Sequence, residues 1–373
     1  MAQRAKLKIP KRFVEKYGEK IPLWSFSKVN SLDNCQWEYY LGRIKRLEGK
    51  DNVYSLSGTA AHSVLEDLYN NKIEQHEMKD KFESEFLNIE LSDYKFSPDQ
   101  SKNEKMSEKY KACVMDFFER HEKMAEKVAI EKLVWIDIEG NLFMGYVDAI
   151  HKDKEGNFII TDFKTSSLYK GAKVQQNGRQ LLLYALGLHQ GGVPLEKIKV
   201  RWLFLKYVSV TYKQKNGKYK MMNPERTKWV TAIKTPLKKD IKAFYELEEW
   251  QADIKLEEHI SANSLEGLDQ SIIDKYVLSD CYVYPELSLN EINELKVDFL
   301  NKIDIINSKG KEESNWERGA IERSEEYFCN VLCSHSHQCK HYKDYIKSLG
   351  KKQDEDAEMA DLLEDIQELD LPF

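Results

Sequence analysis

The sequence predicts an α/β fold. Three observations carry that prediction: apolar residues three and four apart before residue 129, a switch to period two over 129–165, and a return to helix and then strand over 173–208. Residues 25–48 and 57–73 have helical spacing. The second segment opens on Ser57, a residue type that caps helices, and Gly58, Thr59, Ala60 and Ala61 permit close packing on its first turn. A longer, polar-faced helix is expected over 104–128.

Residues 129–138, 141–151 and 157–165 read as strands, joined by the turn sequences Glu139-Gly140-Asn141 and Glu155-Gly156-Asn157 into an antiparallel meander. An amphipathic helix follows over 173–190 and ends at Gly191-Gly192. Residues 198–208, rich in β-branched and aromatic side chains, form a fourth strand. A polar hairpin over 209–230 turns at Asn216-Gly217. Helices over 236–262 and 288–307 belong to an elaboration, and a last helix lies near 341–348. No internal repeat is present.

Of the 373 residues, 41% are hydrophobic and 32% charged, as in a globular protein. No run approaches the roughly 18 apolar residues of a membrane span, so no membrane partner is expected. Five Lys or Arg occupy the first twelve residues with no apolar stretch behind them, so a signal peptide is not expected and an intracellular location is. The net charge of −6 conceals a split: residues 353–373 hold nine acids and no base, leaving 54 acids against 57 bases in the body. The tail is too acidic to fold alone. Six cysteines in a reducing compartment argue against a disulfide framework. Cys329, Cys333 and Cys339 fall within eleven residues and read as metal ligands, with His335 or His337 completing a Cys₃His zinc site, or Cys35 as the fourth ligand.

The third strand carries the chemistry. Alternation puts Ile160, Asp162 and Lys164 on one face, so Asp-x-Lys sets an acid and a base side by side near the strand's end. Asp148 lies near the end of the neighbouring strand and can join them. Phosphodiester hydrolysis needs such a trio: two carboxylates to hold one or two Mg²⁺ ions, and an ammonium group to orient water or offset developing charge. The spacing alone also suits a cross-strand ion pair; the apolar strand context and the preceding Gly145-Tyr146-Val147-Asp148 favour a site.

Four ordered segments resemble the PD-(D/E)XK nucleases of the RecB type: Gly58-Thr59-Ala60-Ala61-His62, Gly145-Tyr146-Val147-Asp148, Ile160-Thr161-Asp162-Phe163-Lys164-Thr165, and Gln180-Leu181-Leu182-Leu183-Tyr184. The resemblance spans residues 58–184 and implies a restriction-endonuclease-like core, a mixed sheet of four or five strands flanked by helices. It implies that Asp148, Asp162 and His62 bind Mg²⁺ or Mn²⁺, that Lys164 is the catalytic lysine, and that Gln180 and Tyr184 touch substrate. AddB-like relatives carry one cysteine before the nuclease motifs and three after. By that resemblance Cys35, Cys329, Cys333 and Cys339 bind a [4Fe–4S] cluster, with zinc as the alternative.

Ten Lys or Arg between 197 and 229, interleaved with Trp202, Tyr207, Tyr212, Tyr219 and Trp229, suit contact with DNA ends or single strands. They equally suit a solvated sheet edge. The terminal Leu369-Asp370-Leu371-Pro372-Phe373 resembles the tip of bacterial single-strand-binding proteins and, less closely, a sliding-clamp peptide, either of which implies a docking segment; it equally suits an acidic solubility tail. No Gly-x4-Gly-Lys-Ser/Thr is present, so any helicase is a separate chain. The resulting expectation is a single nuclease domain over 1–350, with core motifs at 58–208, an elaboration at 209–320 and a metal-cluster segment at 321–345 pairing with Cys35, followed by a disordered tail over 351–373. Its activity is metal-dependent DNA hydrolysis, exonucleolytic, in recombination, repair or replication, in the cytoplasm of a bacterial or phage-infected cell. The alternative is an inactive DNA-binding or scaffold subunit.

Overall fold

A computed structural model describes residues 8–18, 20–92, 94–124 and 126–350. The acidic tail over 351–373 lies outside the described residues. Contacts within the stretch expected as one domain gather into two compact units. The first comprises the described residues up to Phe26 together with Val53–Asn301, and the second Ser27–Asn52 and the described residues from Lys302.

The first unit is built on a seven-stranded mixed sheet flanked by helices, the architecture of a restriction-endonuclease-like core. Its strands are β1 (Leu23–Trp24), β2 (Ala129–Ile138), β3 (Asn141–Lys152), β4 (Phe158–Lys164), β5 (Ile198–Lys213), β6 (Tyr219–Met222) and β7 (Tyr276–Val283). The expected meander is present, with β2 antiparallel to β3 and β3 antiparallel to β4. Gly140 and Gly156 take positive φ (88° and 81°), the backbone that these turns require. The helix Ala172–Gln190 then crosses over so that β5 runs parallel to β4. β6 and β7 pair antiparallel with β5.

Both faces of the sheet are covered. Phe163 of β4 and Leu203 and Leu205 of β5 pack with Val64, Leu65, Phe82 and Phe117 from the helices Val53–Tyr69, Met78–Glu90 and Gln100–Arg120. Helix Ala172–Gln190 covers the other face, where Gly187 lets it rest directly on Val134 and Ile136 of β2. A separate apolar cluster joins Val208, Val210 and Tyr212 to Leu237, Ile241 and Leu256, giving the elaboration its own core.

Several boundaries differ from expectation. Ser57 does not cap a helix; the helix begins at Val53 and Ser57 is fully buried within it. The helix expected over 236–262 breaks into Lys234–Phe244 and Glu249–Ala262, with Glu246 at φ 51° and a capping box from Glu248 restarting the second half. β1, β7 and the helix Met78–Glu90 were not expected. The expected hairpin is present, β5 continuing to Lys213 and pairing with β6 across the turn at Gly217 (φ 80°), but Ser209, Val210 and Tyr212 on its first arm are buried. Trp202, Tyr212 and Trp229 are accordingly core residues and offer no stacking surface, while Tyr219 is 72% exposed.

In the second unit the helix expected over 25–48 is interrupted at Cys35, which has extended backbone (φ −167°, ψ 118°) between Phe26–Asn34 and Gln36–Tyr39. Tyr39 stacks on Trp316 at 5.1 Å, tying the early segment to the late one. Among the described residues, no helix is long and apolar enough to cross a membrane.

Candidate active site

The paired part of β3 and β4 ends at Ala149 opposite Thr161. One residue further on, Asp148 and Asp162 stand where the two strands part, and the Asp148 carboxylate takes over the missing bond: the Phe163 N–H donates to its Oδ2 at 2.8 Å. Lys164 lies two residues beyond Asp162 on the same face, and its Nζ is 2.5 Å from Asp162 Oδ2. Asp162 is paired in register with Trp202 of β5, whose ring approaches Gly178 of helix Ala172–Gln190, so the dyad faces that helix.

His62 arrives from helix Val53–Tyr69. Its Nε2 is 3.0 Å from the Phe163 carbonyl oxygen, and its Nδ1 is 3.6 Å from Asp148 Oδ2. A carbonyl only accepts, so the proton of a neutral ring sits on Nε2 and the Nδ1 lone pair faces the carboxylates. Burial lowers the His62 pKa more than the Asp162 charge raises it, which favours that neutral form.

Gln180 and Tyr184, one turn apart on helix Ala172–Gln190, are bonded to each other, with Gln180 Nε2 donating to the Tyr184 hydroxyl at 2.9 Å. Burial and then the Asp162 and Asp148 charges push the Tyr184 pKa up to about 12, against the Gln180 bond. Gly145 explains how the tyrosine reaches the carboxylates: the Tyr184 ring fills the space where a Cβ would stand, with Cζ and the hydroxyl each 3.1 Å from that point. The structure thus brings together Asp148, Asp162, Lys164 and His62, with Tyr184 in electrostatic reach of the acids.

Two like charges in a buried site cannot both ionise freely. Burial and the neighbouring Asp162 raise the Asp148 pKa. Burial alone would lower that of Lys164, but the Asp162 and Asp148 charges outweigh it and keep the ammonium protonated. Asp162 is 2% exposed, and its Oδ2 is buried without a formed hydrogen bond, in ionic contact with Lys164. Among the described residues no three His, Cys, Asp or Glu side chains converge tightly enough to make a coordination group. The donor chemistry nevertheless fits a hard divalent cation: two carboxylates, one of them buried against the Lys164 ammonium, and an imidazole lone pair.

In the second unit Cys35, Cys329, Cys333 and Cys339 line one small cavity, with Trp37 and Arg318 among its other walls. All four are free thiols. Burial raises the pKa values of Cys329, Cys333 and Cys339, the first to about 11. His335 also borders the cavity, but its Nε2 lies against Gly42 and its Nδ1 is 2.9 Å from Gln338 Nε2. Four thiols around one space suit a soft metal centre, which would hold them as thiolates.

Sequence reasoning missed the Phe163 main chain, which engages both Asp148 and His62. No side-chain pattern signals it, because it depends on where the ladder stops.

An α/β sheet with two acids and a lysine at the parting ends of adjoining strands is the arrangement of a nuclease core. The chain belongs to the PD-(D/E)XK nuclease superfamily, whose family model matches residues 23–267, well over half of its length. Asp162-Phe163-Lys164 supplies the (D/E)XK element, while Val147 precedes Asp148 where the family's name has proline. No individual curated protein matches the chain.

Proposed function

We propose that this chain is a Mg²⁺- or Mn²⁺-dependent deoxyribonuclease, acting exonucleolytically in DNA recombination, repair or replication. The observation that carries the reading is the meeting of Asp148, Asp162 and Lys164 at the point where β3 and β4 diverge. Asp148, Asp162 and His62 would hold the metal. When bound, a divalent cation lowers the pKa of water and offsets charge on the phosphorane-like transition state. Lys164, kept charged by the two acids, orients the attacking water or stabilises the oxyanion that develops. Phe163 fixes the Asp148 carboxylate through its N–H and His62 through its carbonyl, so both point inward before any ligand arrives. Gln180 and Tyr184 offer a hydroxyl and an amide to the substrate beside the acids.

Exonucleolytic action follows from the RecB-type resemblance. End-labelled linear DNA and closed circular DNA, incubated with Mg²⁺ beside Asp162→Ala, test it. Metal-dependent loss of the linear DNA alone, abolished in the variant, is expected. Cleavage of the circle makes the enzyme an endonuclease. Turnover by neither protein favours the scaffold subunit.

The same reading gives Cys35, Cys329, Cys333 and Cys339 a [4Fe–4S] cluster, supported by their shared cavity. Iron and a brown colour in anaerobically purified protein are expected; stoichiometric zinc would replace the cluster with a zinc staple. The terminal Leu369-Asp370-Leu371-Pro372-Phe373 docks on a single-strand-binding protein or a clamp, and any unwinding motor is a separate chain.

A further inference from the structure

Three basic residues of the 197–229 segment are committed to the protein itself. Lys199 pairs with Asp153 and Glu155. Arg201 donates to Thr161 and lies over the Tyr282 ring. Arg226 is fully buried between Asp116 and Asp280. Lys206 differs. It is half-buried, yet no carboxylate among the described residues lies within ion-pair distance, and its ammonium rests 5.1 Å from the centroid of the Tyr110 ring. Glu225, a carboxylate in electrostatic reach of Lys206, is taken by Lys109 at 2.7 Å. A lysine this far from water normally has a partner.

Its position is equally informative. Phe204 is the register partner of Lys164, and Lys206 lies two residues further along the parallel strand, ~7 Å beyond the end of β4. That is the carboxyl edge of the parallel pair, where α/β folds take their ligands. Tyr110 itself turns a buried hydroxyl toward Thr165. Tyr110 is 4% exposed, and its hydroxyl is buried without a formed hydrogen bond, in electrostatic reach of the Thr165 hydroxyl. Thr165 follows the catalytic lysine directly, and its Oγ1 sits 3.5 Å from where a Cβ on Gly58 would stand. Tyr207 holds the loop behind it through Ser167 and Leu168. Burial lowers the Lys206 pKa and outweighs the opposing pull of Cys113 and Glu225.

We infer that Lys206 grips a backbone phosphate of the nucleic acid next to the one being cut, with the Thr165 hydroxyl as a second contact. Lys206 is then a positioning residue that registers the strand on the Asp162–Lys164 dyad. The inference rests on the nuclease reading above and adds a subsite to it.

The test measures binding of fluorescently labelled oligonucleotides in metal-free buffer across a salt series, with wild type, Lys206→Met, Lys206→Arg and Thr165→Val. Each phosphate contact contributes roughly 0.7–0.9 to the slope of log K against log salt. Lys206→Met should lose about one such increment, and Lys206→Arg should retain it. Thr165→Val, which removes no charge, should weaken binding at an unchanged slope. In cleavage assays Lys206→Met should raise KM by a larger factor than it lowers kcat, whereas Asp162→Ala removes kcat and keeps the wild-type salt slope. Matched circular dichroism for Lys206→Met and Lys206→Arg controls for folding. A wild type that cleaves DNA while Lys206→Met matches it in slope and KM overturns the phosphate contact alone. A wild type that neither binds nor cleaves any nucleic acid overturns the nuclease reading and this inference together.

Discussion

Both polar atoms of the Phe163 main chain are used in the site, one on Asp148 and one on His62, and its ring meets the imidazole edge-on at 5.9 Å. The imidazole therefore has a fixed direction. His62→Ala should lower metal affinity or cleavage rate by roughly 10–100-fold, the usual effect of losing an oriented partner in a metal site, read from the Mg²⁺ dependence of the rate. Gly145→Ala should destabilise the protein by about 1–3 kcal/mol, because the added methyl meets the Tyr184 ring in a filled space; the urea midpoint measures it. Its activity should fall with the displaced tyrosine. Asp162 and Lys164 were legible in sequence because strand alternation is a local rule. The seat of Tyr184 on Gly145 was not, since the two residues meet only after a meander and a crossover helix have formed.

The strands that carry the site were the most legible elements. β2, β3 and β4 alternate cleanly and are separated by turn glycines. β7 went unread because its burial is irregular: Tyr276 and Cys281 are buried, while Val277, Leu278 and Ser279 between them are exposed. A polar network adds to the β5 ladder in holding β7. Asp280 accepts from Arg226 at 2.7 Å and lies 3.2 Å from His121 Nδ1, whose other nitrogen is 3.1 Å from the Tyr69 hydroxyl. Arg226→Ala should be destabilising by about 3–5 kcal/mol, because Asp280 and Asp116 would be left without their buried cation; denaturant titration measures this. Burial alone would raise the Asp280 pKa, but the His121 hydrogen bond and the Arg226 charge outweigh it and leave the carboxyl below its ordinary value. The sign of the linkage follows. Asp280 contributes its stabilisation fully above the unfolded carboxyl pKa of roughly 3.9 and loses it as pH falls through its lower folded value. Asp280→Asn should therefore be less stable than wild type at pH 7, with the gap closing below about pH 4.

Across the whole molecule, the cysteine unit joins residues nearly three hundred positions apart. Cys35 enters from Ser27–Asn52, and Cys329, Cys333 and Cys339 from the segment after Lys302. A metal centre across that span would restrain the unfolded chain as a long crosslink does. If the cysteines hold the proposed metal, Cys329→Ser should lower the thermal midpoint and release it, with Cys113→Ser, a buried cysteine that does not line that cavity, as the control. The three late cysteines were conspicuous in the sequence, but Cys35 was legible only through a family resemblance, because no local pattern links it to the others. The core architecture was legible at this scale too, whereas the gathering of contacts into two units was not.

The nuclease reading depends on Asp162 and Lys164 acting as one charged pair on the scissile phosphate. The most direct measurement compares Mg²⁺-dependent cleavage and DNA binding of wild type with Asp162→Asn and Lys164→Met, near-isosteric changes that remove one charge each. Both variants should bind DNA and lose cleavage by about a hundred- to a thousandfold, the scale on which losing a transition-state charge contact is felt. Wild-type cleavage rates in either variant would contradict the account.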